Sequence, residues 1–309
     1  MNAPLGNTLL AAVELAPKDP ILGVTEAFNA DPNPRKANLG VGVYYGDDGK
    51  LPLLECVKRA EREIVDAAAP RGYLPIDGIA SYDRAVQTLL LGADSEVVTT
   101  GRAVTVQALG GTGGLKVGAD FLRRFAPAAQ IWISDPSWEN HRALFEGAGF
   151  TVNSYPYFDP TTRGLDFDAM IAALDKLPAG AVAVLHACCH NPTGVDPTVA
   201  QWEKIVAVVR ARGAVPFVDI AYQGFGEGLE ADADVVRRFA ATPGPLLIAN
   251  SFSKSFSLYG ERIGALTVVA ADTSEVARVL SQLKRLIRAS YSTPPTHGAR
   301  IVAAVLASQ

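Results

Sequence analysis

Six short apolar runs occupy the later two-thirds of the chain, and most are followed by a turn signal or a helix pattern. They are AVTVQAL (103–109), QIWIS (130–134), AVAVLHA (181–187), AVPFVDI (214–220), PLLIANS (245–251) and GALTVVA (264–270). Side chains alternate across a strand, so a run that is apolar at odd and even positions has no solvent face. It must be covered on both sides. Helical stretches between the runs supply that cover: Leu115–Phe125, Trp138–Gly147 and Pro197–Arg212. The expected fold is α/β, a mostly parallel sheet with helices on both faces. In such sheets ligands bind at the carboxyl ends of the strands. The residues just after each run are therefore where chemistry should lie.

Upstream, Leu54, Val57, Ala60, Ile64 and Val65 recur near helical spacing and predict a helix from Pro52 to Ala69. A loop, RGYLPIDG, follows, then a second helix over Ile79–Leu91. Residues 1–40, rich in Pro, Asn and Asp, read as an arm with little regular structure. At 309 residues, 49% hydrophobic and 19% charged, the chain has the make-up of a globular protein and not of a disordered one. A net charge of −4 gives no basic excess for nucleic acid. Three cysteines, two of them adjacent, cannot form an even disulfide framework and fit a reducing compartment. The N-terminus lacks a basic segment and carries Glu14 in its most apolar stretch, and no apolar run reaches the length of about 18 that a membrane span needs. A cytoplasmic protein with no membrane partner is expected.

The strand ends carry five groups of residues. After the first run comes Gly110-Gly111-Thr112-Gly113-Gly114, opening a helix. It is either a tight turn or a place where bare backbone and a helix N-terminus meet an anion. Neither dinucleotide nor nucleotide-loop spacing is met, since Lys116 stands where a third glycine would be. Trp138, after the second run, is either core or a stacking platform for a planar ligand. Cys188-Cys189-His190-Asn191-Pro192-Thr193-Gly194 follows the third; adjacent cysteines suit a tetrahedral metal poorly, and Asn191 can bond a ligand oxygen. Asp219 ends the fourth run, where a carboxylate needs a cation or donors. After the fifth, Ser251, Ser253, Lys254 and Arg262 fall within twelve residues. Lys254, one of nine lysines, is a candidate for burial, a lowered pKa and Schiff-base chemistry. Together these are the parts that hold pyridoxal phosphate: a phosphate cradle, a lysine for the aldehyde, a carboxylate for the ring nitrogen and a flat aromatic.

CCHNPTG, DIAYQGFGEG and NSFSKSFSLYGERIG, in this order, resemble class I aminotransferases of the aspartate and aromatic amino acid group, from about Asp19 onward. The wording of LGGTGGLKVGADFL, SDPSWENH, YPYFD and SLYGERIG is nearer the tyrosine/aromatic branch. The resemblance implies that Lys254 bonds the cofactor and shuttles the Cα proton, with Asp219 on the pyridinium nitrogen. It implies that Asn191 and Tyr222 hydrogen-bond the phenolic oxygen, and that Trp138 stacks on the ring. Gly111, Thr112, Ser251, Ser253 and Arg262 would form the phosphate site. Tyr73 would reach the phosphate of a neighbouring subunit. Val41 and Gly42 would close over substrate, and Arg288 would reach across a homodimer with shared active sites to a distal carboxylate. The substrates implied are an amino acid (Tyr, Phe or Asp) and a 2-oxo acid, 2-oxoglutarate, used in ping-pong order.

The same resemblance implies that residues 1–48 are an arm with part of a small domain. Residues 49–309 would be the large cofactor-binding domain of the type I pyridoxal-phosphate transferases, with the rest of the small domain absent. Family chains continue beyond VAAVLASQ and carry there the arginine for the substrate α-carboxylate. The long helix expected after about Ser281 would be cut short and leave an apolar face exposed. Two other readings follow: a C-terminally truncated cofactor-binding protein with little or no turnover, and a decarboxylation or β-elimination on the same cofactor.

Overall fold

All six predicted runs are strands, within a residue or so of the expected bounds, and a seventh joins them. The computed structural model describes residues 9–16, 22–38, 40 and 42–308, and the chain divides into two compact units, residues 1–52 and 53–309. The second unit carries β1 (Ala103–Leu109), β2 (Ile131–Asp135), β3 (Val152–Pro156), β4 (Phe158–Asp159), β5 (Gly164–Leu165), β6 (Val182–His186), β7 (Val215–Ile220), β8 (Leu246–Ser251) and β9 (Ile263–Val269). Seven form one sheet in the order β1-β9-β8-β7-β6-β2-β3, while β4 and β5 make a separate hairpin. Neighbours are parallel except at β9, which runs antiparallel to both β1 and β8.

Alternation along the strands feeds two cores. Val182, Val184, Phe217, Leu247 and Ala249 face one side and pack with the helices Gly110–Phe125, Glu139–Gly147 and Thr273–Ser290. Ala183, Leu185, Val218, Leu246 and Ile248 face the other and pack with Glu55–Asp66, Ala80–Leu91, Val199–Ala211 and His297–Ala307. β6, β8 and β9 are buried along their whole length, as doubly apolar runs require. β3 escapes the sequence reading because Asn153 and Ser154 break its apolar pattern, which an edge strand tolerates.

Two expectations are corrected. The first unit holds a helix, Leu22–Ala30, in the stretch read as an irregular arm. The prolines lie outside it, Asn29 falls in its last turn, and the Lys36 ammonium donates to the carbonyls of Phe28 (2.5 Å) and Asp31 (2.7 Å), just where a helix end favours a cation. The helix expected after about Ser281 starts at Thr273 and stops at Ser290. Ser292 is left-handed (φ +70°), and Pro294 and Pro295 prevent continuation. A new helix, His297–Ala307, then packs Ala299, Ile301 and Val302 into the core, while Leu283 and Ile287 of the preceding helix are fully buried. The expected exposed face is covered there and half-buried over Ala303, Ala304, Val305 and Leu306. Among the described residues no helix is long and apolar enough to cross a membrane.

Candidate active site at the carboxyl edge of the sheet

Because β9 is antiparallel, its beginning lies at the edge where β1 and β8 end, with Leu109 opposite Ile263 and Ser251 opposite Gly264. Arg262 therefore meets Gly110 and Ser253 although far from Gly110 in sequence. The glycine run is the first turn of the helix Gly110–Phe125, which starts earlier than the predicted Leu115 and has no side-chain cap. Its first N–H groups are thus available to an anion. Glycine is required twice here. Gly110 has φ +71°, and a Cβ there would stand 2.5 Å from Arg262 Nη2; one at Gly264 would stand 2.5 Å from both Asn250 O and the carbonyl carbon of Gly110. Arg262 Nη1 donates to Ser253 Oγ (3.2 Å) and to Tyr259 O (3.1 Å), and Ser253 N donates to Ser251 Oγ (3.2 Å).

Lys254 follows directly. Its Nζ lies 5.0 Å from the centroid of the Tyr222 ring. Burial lowers its pKa below the ordinary lysine value; the Asp219 carboxylate opposes that shift and the Arg262 guanidinium adds to it. Burial also raises the Tyr222 phenol above its usual value, with Asp219 contributing in the same sense.

Asp219, buried at the end of β7, is held by a chain of imidazoles. His141 Nε2 lies 2.9 Å from Asp219 Oδ2, and His141 Nδ1 lies 3.0 Å from Ser137 Oγ and 3.3 Å from His186 Nε2. The Asn191 backbone N–H donates to His186 Nδ1 (3.1 Å). That donor makes Nδ1 of His186 an acceptor, so its proton sits on Nε2 and points at His141 Nδ1. The proton of His141 then sits on Nε2 and points at the carboxylate. Burial holds His186 well below the normal histidine value, with His141 and His190 adding to the shift. Burial likewise brings His190 down to about 4. His190 stacks on Tyr157 (3.8 Å) and His186 (4.4 Å), between Ser134 Oγ and Thr193 Oγ1, each 2.8 Å away.

Sequence reasoning missed His141, His186 and Ser137. One signal was present: His141 stands three residues after Trp138 at a helix start. In the fold its ring meets Trp138 edge-on at 5.3 Å, and His186 is the register partner of Asp219 across β6 and β7. Of the predicted residues, Gly111, Ser251, Ser253 and Asp219 are buried, Thr112, Trp138, Asn191, Tyr222 and Lys254 half-buried and Arg262 exposed, all at this edge. Tyr73 is 96% exposed on its loop. Arg288 is exposed, and its guanidinium bonds Ser292 Oγ. Gly42 belongs to the first unit, and Val41 lies outside the described residues.

A half-buried lysine, a guanidinium against an uncapped helix start and a buried carboxylate are now gathered at one sheet edge. Comparison with known proteins gives the same class. The sequence pattern of the family "Aminotransferase class I and II" matches residues 34–309, and the chain belongs to that family. It is 58% identical over 301 residues to an aspartate aminotransferase of Pseudomonas aeruginosa, covering 97% of this chain and 76% of that protein. It is 50% identical over 291 residues to the aromatic-amino-acid aminotransferase of Escherichia coli, covering 93% and 73%. The crystal structure of an aromatic-amino-acid aminotransferase from Burkholderia pseudomallei covalently bound to pyridoxal phosphate superposes with a TM-score of 0.95 at 64% identity, covering 98% of this chain and 76% of that one.

Proposed function

We propose that this chain is a pyridoxal-phosphate-dependent aminotransferase that moves the amino group of an aromatic amino acid or aspartate to 2-oxoglutarate in ping-pong order. The observation that carries the reading is Lys254: half-buried, lowered in pKa, over the Tyr222 ring and within electrostatic reach of both Asp219 and Arg262. The donor set fits the cofactor. Gly111, Thr112, Ser251, Ser253 and Arg262 would hold its phosphate against the uncapped helix start. Asp219 would face the ring nitrogen, Asn191 and Tyr222 the phenolic oxygen, and Trp138 the ring face. The bound cofactor supplies an electron sink for the charge left when the substrate Cα–H bond breaks.

The chain's own groups do the rest. Burial leaves Lys254 Nζ free of its proton at lower pH than an exposed lysine, so it can take the Cα proton and return it. His141 Nε2–H donates to Asp219 Oδ2 and would orient the carboxylate toward a facing ring N–H. The raised Tyr222 phenol remains an O–H donor. Tyr73 and Arg288, both exposed, suit service to a second copy of the chain in a cytoplasmic homodimer with shared sites, with Val41 and Gly42 closing over substrate. The test is an absorbance spectrum of the purified chain with pyridoxal phosphate. Phenylalanine or aspartate should convert the lysine-bound band, and 2-oxoglutarate should restore it. A band that neither amino acid changes rejects transamination.

A further inference from the structure

Two strand-end loops lie side by side, one after β6 ending in Asn191, one after β7 turning at Tyr222. Each is built around a carboxylate from just downstream in the chain. In the second loop Phe225 N donates to Tyr222 O (2.9 Å), which forms the turn. The next donors converge on one side chain: Gly224 N and Gly226 N reach Asp232 Oδ2 at 2.7 and 3.0 Å, and Glu227 N reaches Oδ1 at 2.8 Å. Asp232 is 5% exposed. A carboxylate so buried is costly without donors, and the three backbone N–H groups supply them. The glycines let it in: Gly224 has φ +97°, and a Cβ on Gly226 would stand 2.6 Å from Asp232 Oδ1. Gln223 Nε2 closes the loop on Leu229 O (2.9 Å).

The first loop repeats the device. Cys189 N and His190 N donate to Asp196 Oδ2 (2.6 Å) and Oδ1 (2.9 Å), with Cys189 left-handed at φ +49°. The next residue is Asn191, tied by its own N–H to His186. Loop N–H groups need acceptors as strongly as those of regular structure. Here the acceptor is a side chain, so the loop's shape depends on one residue.

We propose that Asp196 and Asp232 are positioning residues that set Asn191 and Tyr222 in place, each by filling a backbone concavity with its carboxylate. What Asn191 and Tyr222 do rests on the function proposed above.

The test uses the full chain with Asp232→Ala, Asp232→Asn and Asp196→Ala. Amide hydrogen exchange is followed without added cofactor. The pH midpoint of the absorbance change is then measured with pyridoxal phosphate, beside Tyr222→Phe, Asn191→Ala and the matching double variants. In Asp232→Ala, exchange at Gly224, Gly226 and Glu227 should rise about 10- to 100-fold, as expected for losing hydrogen bonds to a charge. Asp232→Asn, which keeps one acceptor and the side-chain shape, should show a smaller rise in the same amides and carries the test if the alanine variant does not fold. The pH midpoint should move in the direction given by Tyr222→Phe, and the double variant should move no further than Tyr222→Phe alone. Asp196→Ala should stand in the same relation to Asn191→Ala. Unchanged exchange, or midpoint shifts that add in the double variants, overturns the proposal. A wild-type chain with no cofactor band would sink the proposed function instead, while the exchange result still decides whether the carboxylates hold the loops.

Discussion

The two ends of the strand-edge site manage charge in opposite ways. At the β1–β9–β8 end, Arg262, Ser253 and the first turn of Gly110–Phe125 present donors that suit an anion. At the β7–β6 end a carboxylate, Asp219, is already inside the protein, and imidazoles held in one hydrogen-bonding order aim a single N–H at it. On the function proposed above, the first end would act as a receptor and store affinity. The second is preorganised and tunes the group it will face. Substitutions at the two ends should therefore fail differently, one through binding and the other through rate and pH.

The sharpest break comes at the junction. Lys254→Ala should lower turnover by about 10³-fold or more, the scale of losing a positioned proton shuttle, read as steady-state rate with phenylalanine and aspartate. At the receptor end, Gly110→Ala forces a left-handed Cβ into Arg262. Cofactor affinity should weaken by about 3 kcal/mol, with little change in pH profile, measured by fluorescence titration. At the preorganised end the histidines make the fold acid-sensitive. His190 is depressed to about 4 from 6.5, so the unfolded chain binds more protons below pH 6.5, and stability falls as pH drops. Between pH 6.5 and 5, His190 should account for a loss of about 2 kcal/mol, detected in urea titrations and reduced in His190→Gln. The smallest effect is expected for His141→Asn, about tenfold in rate, the scale of one hydrogen bond to a charge. Cofactor affinity should be nearly unchanged. An affinity loss there as large as that of Gly110→Ala would erase the distinction between the ends.

The receptor end was also the legible end. Ser251, Ser253, Lys254 and Arg262 lie in one stretch after a buried strand, and a lysine among Ser and Phe stands out in a chain with nine lysines. The sheet was legible because doubly apolar runs leave few alternatives. The imidazole chain was not, since His141, His186 and Asp219 come from a helix and two strands. They become neighbours only through the parallel register of β6 and β7 and the approach of the helix Glu139–Gly147. Strand order, the reversal at β9 and the edge strand β3 also lay beyond pattern reading. The first depends on crossovers, and the last hides behind two polar residues. The helix Leu22–Ala30 was masked by the prolines that flank it and by Asn29 in its last turn.

Gly264 has the backbones of Asn250 and Gly110 so close that no side chain fits among them. Three segments distant in sequence are thereby registered to one another by main chain alone. Such a joint is indifferent to the identity of the side chains around it. The spacing of the strand ends is set there by main-chain contact and not by the packing of the core.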